Sequence, residues 1–153
     1  MISYHKGDLL ESGCDIICHQ VNLDGVMGGG IAYQIARKYP IVEEMYKKYC
    51  RNVSIDNLGG DVCYVPRYGY DSDVKKYVAN CFSQNNDFIT SYEWLFDCVV
   101  DIRNFAEKKR LKTVGIPKNY GCGIAKGDWE TVKGIWQSAF EDDSDIELQI
   151  WEL

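Results

Sequence analysis

Residues 15–39 read DIICHQVNLDGVMGGGIAYQIARKY. The first six, Asp15 to Gln20, form a short apolar run that reads as a buried strand. The last ten, Gly30 to Tyr39, carry Ile31, Ala32, Ile35, Ala36 and Tyr39 at i, i+3/i+4 spacing, which predicts a helix. Between them lies a loop ending in Gly28-Gly29-Gly30. Glycine lets a backbone approach a ligand closely and turn its N–H groups toward it, and a helix N-terminus adds partial positive charge. A strand feeding a glycine loop and then a helix is therefore suited to a diphosphate, or simply to a sharp turn.

The rest of the chain repeats that alternation. Pro40 restarts the chain into a second helix, Ile41 to Cys50. Asp61 to Pro66 and Lys76 to Phe82 are predicted strands, with Arg67 to Asp73 a polar turn between them. A long helix is predicted from Ser91 to Lys109, its apolar stripe running from Leu95 to Ala106, with Thr90 and Glu93 at the spacing of a capping box. Thr113 to Ile116 predicts a strand closed by Pro117. A second glycine loop follows, Lys118-Asn119-Tyr120-Gly121-Cys122-Gly123, and Asp128 is placed to cap a last helix. Glu147 to Glu152 alternates as a final strand. Strands alternating with helices mean an α/β sheet covered on both faces, which binds ligands at the carboxyl ends of its strands. Both glycine loops fall there. The phosphate-loop motif is absent, and the dinucleotide fingerprint fails because Tyr33 occupies its last glycine position.

Composition narrows the class. A length of 153 residues fits one domain spanning 1–153. With 23 acids against 17 bases, the net charge of −6 argues against binding long nucleic acid. The N-terminus has no signal-peptide pattern and no run spans a membrane, so the expected location is cytoplasmic. Seven cysteines without a single CxxC pair read as free, mostly buried thiols rather than a zinc site, and no metal or cofactor is implied.

The motifs together resemble the macrodomain family, which binds ADP-ribose. The resemblance runs through Lys6-Gly7-Asp8-Leu9-Leu10, Asp15 to Asn22, Met27 to Ala32, Ile116 to Gly123 and Asp128-Trp129-Glu130. It is closest to the small single-domain branch of ADP-ribose-1″-phosphate phosphatases and terminal ADP-ribose protein glycohydrolases. It implies a three-layer α/β/α fold with a mixed sheet. It implies an adenine-facing carboxylate at Asp8 beside Leu9. It further implies a diphosphate held by Gly28, Gly29, Gly30 and Ile31 on one side and by Asn119, Gly121, Cys122, Gly123 and Ile124 on the other. Asn22 and Asp24 match positions near the distal ribose.

The resemblance breaks at the glycohydrolase pair. Ala125 stands where those members carry an acid, and Ser83 and Gln84 occupy the region of their lysine. The phosphatase-like members suggest His19 and Asp87 instead, with Asn22 and Asp24 as the other groups able to position water. His19 reads equally as a buried strand histidine, and Asp87 as a solvated loop residue. Cys122 is a candidate nucleophile or a small residue filling its loop. The implied function is binding of ADP-ribose with hydrolysis at the distal ribose, from a 1″-phosphate or a protein ester. The alternative is a non-catalytic reader of ADP-ribosylated partners.

Overall fold

The computed structural model describes residues 1–141 and 145–153. In chain order the elements are β1 (Ile2–Lys6), a 3₁₀ turn (Leu9–Glu11), β2 (Ile16–Gln20), α1 (Gly30–Lys38) and α2 (Pro40–Asn52). They continue as β3 (Val62–Pro66), β4 (Tyr77–Cys81), α3 (Tyr92–Lys109), β5 (Thr113–Pro117), α4 (Trp129–Ser138) and β6 (Glu147–Glu152). The strands form one six-stranded sheet in the order β1-β6-β5-β2-β4-β3. Every neighbouring pair is parallel except β3 with β4, so the sheet is mixed.

Side chains alternate across each strand, and they divide the core in two. Ile16, Cys18, Ala79, Cys81, Val114 and Ile116 face Leu95, Val99, Ile102, Val132 and Trp136 of α3 and α4. Ile17, Val78 and Val65 face Ile35, Val42 and Tyr46 of α1 and α2. The result is three layers, as the resemblance implied. All seven cysteines are free thiols, and five of them are buried.

Local chemistry explains where the elements begin. Pro40 opens α2 at its first turn, where a missing N–H costs nothing. Asp128 caps α4, its side chain accepting from the Thr131 N–H at 3.0 Å. The capping box expected at Thr90 and Glu93 is displaced by one residue. Ser91 is the cap, accepting from the Trp94 N–H, and the Thr90 hydroxyl instead donates to the Gly121 carbonyl. The turn after β3 is also less polar than expected, because Arg67 is buried, bonds the Cys14 carbonyl and lies over the Tyr39 ring. Among the described residues no helix is long and apolar enough to cross a membrane.

Candidate functional site

The carboxyl ends of β1, β6, β5, β2 and β4 share one edge of the sheet, since these strands are parallel. Beyond β2, β4 and β5 that edge opens into a cleft of about 550 Å³. One wall is Gln20 to Asn22, Val26 and Gly28 to Ala32. The other is Pro117 to Gly121 and Gly123 to Ala125, with Gln84 and Phe88 closing one end.

The first wall is strapped in place by Asn22. Its Nδ2 donates to the Val26 carbonyl at 2.9 Å, and its Oδ1 accepts from the Asp24 and Val26 N–H groups. The buried Tyr46 hydroxyl of α2 donates to the Asn22 carbonyl oxygen and lies 2.8 Å from Oδ1. Met27 is buried and anchors the loop from below. Gly29 then caps α1 with no side-chain bond, and no acid stands in the first turn. The leading N–H groups of α1 are thus left to whatever fills the cleft.

The second wall is a chain of tight turns. Cys122 N–H donates to Asn119 O, Lys126 N–H to Gly123 O and Gly127 N–H to Gly121 O. Asn119, Gly121 and Lys126 all hold positive φ, which only a constrained loop sustains at the two non-glycine positions. Among the described residues the N–H groups of Gly121, Gly123 and Ile124 make no hydrogen bond. Two sets of unpaired donors therefore belong to residues that line one cleft.

A polar network locks the floor. The Gln20 Nε2 lies 3.1–3.2 Å from the Ser83 hydroxyl, the Ser83 carbonyl and the Thr90 hydroxyl. The Ser83 and Tyr120 hydroxyls are 2.6 Å apart, and Thr90 reaches Gly121 O at 2.6 Å. Gln84 Nε2 donates to Gln20 Oε1 at 3.1 Å. None of these groups is a carboxylate, so the network stays neutral beside any anion.

The expected site residues divide sharply. Gly28, Gly29, Gly30, Ile31, Asn119, Gly121, Gly123 and Ile124 meet in the cleft, with Asn22. Cys122 does not line it. Its thiol donates to the Tyr120 carbonyl, and burial pushes its pKa up, so it is no thiolate. Asp24 and Asp87 are exposed and lie outside the cleft lining. Asp8 and Leu9 also lie outside the lining: Asp8 caps the 3₁₀ turn after β1, Oδ1 accepting from Leu10 N–H at 2.9 Å, while Leu9 is buried beneath Gly115 of β5.

His19 is buried and lies outside the cleft lining. It lies on β2 directly across from Asn80 of β4, fully inside the sheet. Its Nε2 is 2.6 Å from Asn80 Oδ1, and Asn80 Nδ2 donates to the Cys63 carbonyl at 3.0 Å. An amide oxygen only accepts, so Nε2 carries the proton. Desolvation lowers the His19 pKa, and Nδ1 has no partner. His19 is a neutral core residue. Gln20, Gln84 and Phe88 also line the cleft without having been expected there as ligand contacts, and the pairing of β2 with β4 brings their segments together.

The Macro domain profile matches residues 18–136. The chain is 29% identical over 155 residues to a DNA ADP-ribosyl glycohydrolase of Mycobacterium tuberculosis, covering 99% of this chain but only 42% of that protein. It is 28% identical over 179 residues to an ADP-ribose 1″-phosphate phosphatase of Scheffersomyces stipitis, covering 100% of both. Among solved structures, the macrodomain of M. tuberculosis DarG superposes with a TM-score of 0.84 at 28% identity, covering 99% of this chain and 97% of that one.

Proposed function

This chain belongs to the Macro domain family, and from that premise we propose that its cleft binds ADP-ribose and hydrolyses a bond at the distal ribose, releasing ADP-ribose. The observation that carries the reading is the pair of cleft walls with unpaired N–H groups, at Gly29 to Ile31 on one side and at Gly121, Gly123 and Ile124 on the other. A diphosphate between them would meet amide donors and the α1 N-terminus without any Lys or Arg. Asp8 would accept from the adenine amino group, since its second oxygen makes no hydrogen bond among the described residues. Leu9 would support that end from below. Asn22 would act by holding the first loop rather than by touching the reacting atoms.

The substrates proposed are a 1″-phosphate or a carboxylate ester. Both leaving groups depart as stable anions and need no proton from the protein. That matters because the cleft lining has no carboxylate and no histidine among the described residues. The Gln84 amide, which lines the cleft, would orient a water. The same observation favours a second reading, a non-catalytic module that retains ADP-ribosylated partners. The names of the relatives support the first reading, including one that acts on ADP-ribosylated DNA. Seven free thiols fit a reducing, cytoplasmic setting.

Calorimetry with ADP-ribose, ADP and AMP tests the cleft. ADP-ribose should bind more tightly than either fragment. No binding at high micromolar concentration would remove both readings. Incubation with ADP-ribose-1″-phosphate and with an ADP-ribosylated glutamate peptide then separates hydrolase from reader by release of ADP-ribose.

A further inference from the structure

Far from the cleft, the sheet leaves one strand open along its outer side. β3 stands last in the strand order and pairs only with β4. Arg67 N–H donates to Lys76 O, and Phe82 N–H donates to Asp61 O. Antiparallel pairing alternates, so Cys63 and Val65 also aim their backbone groups at β4, while Val62 and Tyr64 aim theirs away. No turn, cap or side chain among the described residues bonds the N–H or C=O groups of Val62 and Tyr64. Pro66 ends this free ladder, since it has no N–H and its carbonyl accepts from Gly69 N–H at 3.2 Å.

Two pockets flank the open edge. One, of about 500 Å³, lies on the α2 side at the Val62 end, against Met45, Tyr49 and Val53. The other, of about 240 Å³, lies against Phe105 of α3 at the Pro66 end. Tyr64 and Tyr70 line both, and Tyr70 is 58% exposed. The charged residues of the lining are Lys48 in the first pocket and Lys75 and Lys109 in the second. Among the described residues no carboxylate lines either one. Asp61 and Asp101 accept from the Tyr49 and Tyr64 hydroxyls, and Asp71 and Asp73 stand in the exposed turn outside the lining. In a chain of net charge −6 this is a local reversal of sign.

We propose that the β3 edge takes an extended segment of a partner protein as an added strand, and that this segment carries apolar residues flanked by acids. A peptide backbone supplies the paired donors and acceptors that Val62 and Tyr64 require, and a nucleic-acid backbone does not. Successive side chains of a strand fall on opposite faces, so neighbouring apolar residues enter the two pockets. Acids before and after them reach Lys48 at one end and Lys75 and Lys109 at the other. A second copy of this chain fits poorly, because pairing β3 with itself sets these lysines against one another. The opposite edge strand, β1, has no such preference, since the pocket beside it mixes Lys6 and Lys133 with Glu130 and Glu152. The β3 edge lies outside the cleft lining, so its use does not depend on what the cleft binds.

The test uses two short capped peptides, Val-Phe-Val between paired glutamates and Val-Phe-Val between paired lysines, with calorimetry and amide exchange as readouts. The acidic peptide should bind at least about tenfold more tightly than the basic one, and the difference should shrink as salt is raised. In the free protein the Val62 and Tyr64 amides should exchange as unprotected groups, and the acidic peptide should slow both at least about tenfold. Tyr70→Ala should keep its Tm and weaken the acidic peptide about tenfold. Lys48→Glu combined with Lys109→Glu should reverse the preference between the peptides. No binding of the acidic peptide, equal binding of both, or binding that leaves the Val62 and Tyr64 amides unprotected would overturn the proposal. So would slow exchange of those amides in the free chain, a dimer in sedimentation that protects them, or their protection by a single-stranded oligonucleotide instead of the peptide.

Discussion

Replacing Gly123 by alanine separates folding from ligand binding. Gly123 lines the cleft, does not hold a positive φ, and an added Cβ would meet nothing within 4 Å. The folded chain therefore accepts the methyl without strain. The unfolded chain loses freedom, a change that stabilises by about 0.4–1 kcal/mol at compatible positions. For a chain of this size that raises Tm by roughly 1–4 °C. The ligand meets the opposite situation. The methyl occupies space that a diphosphate needs to reach the N–H groups of Gly123 and Ile124. A hydrogen bond to a charged acceptor contributes about 1.5–3 kcal/mol, so losing one costs roughly tenfold to over a hundredfold in affinity.

Gly121→Ala is the matched contrast. Gly121 has φ +66, and its Cβ would lie 2.7 Å from Thr90 Oγ1 and 3.0 Å from Gln20 Nε2. Left-handed backbone costs about 1–2 kcal/mol, and disturbing the two side-chain bonds adds about 1 kcal/mol each. Tm should fall by roughly 6–16 °C. Calorimetric melting of both variants, with titration of ADP-ribose into Gly123→Ala, reads all three quantities. Unchanged affinity in a Gly123→Ala protein of raised Tm would refute the placement of the diphosphate against the second loop.

Three further outcomes concern folding. His19 has a pKa lowered by burial, so the unfolded chain binds a proton near its ordinary value of about 6.5 that the folded chain refuses. Stability is therefore fully present above about pH 6.5 and declines as pH falls below it, by at most about 1.4 kcal/mol per pH unit. Urea unfolding of wild type and His19→Gln from pH 7.5 to 5.5 checks this, and equal slopes would return the effect to other groups. Gly59→Ala would place a Cβ 2.2 Å from the Trp94 indole, and should cost about 3 kcal/mol by denaturant midpoint. Asp128→Ala removes the cap of α4, whose Oδ2 also accepts from the Thr131 hydroxyl at 2.8 Å, and should cost about 1 kcal/mol.

The elements were legible wherever a local signal sufficed. The i, i+3/i+4 stripe of α3, the proline opening α2 and the Asp128 cap all act within one turn of chain, so sequence spacing reveals them. The Thr90 cap failed because a tertiary partner won. The Gly121 carbonyl takes the Thr90 hydroxyl, and Ser91 caps in its place. His19 was ambiguous for the same reason. A histidine on a strand is a reagent or a core residue according to what lies across from it, and Asn80 is 61 residues away in sequence. The glycine loops were visible because their chemistry is in the backbone. Phe88 was not, because its exposure and its positive φ follow from how Asn85 folds the turn.

The sign of the whole chain also says little about the cleft. A net charge of −6 would repel a diphosphate if the acids stood near it. Instead the loops are tied by carboxamides and hydroxyls: Asn22, Gln20, Gln84, Ser83 and Thr90. A carboxylate could accept the same bonds that Asn22 accepts, but it could not donate to Val26 O, and it would set a fixed negative charge beside the ligand. Asn22→Asp tests this division. It keeps the acceptor bonds to the Asp24 and Val26 N–H groups and loses the donor, so folding should weaken by only about 1 kcal/mol. Binding of ADP-ribose should fall further, and the loss should shrink as salt is raised, because screening weakens a charge at the cleft wall. A loss of affinity independent of salt would mean that Asn22 acts through loop shape alone.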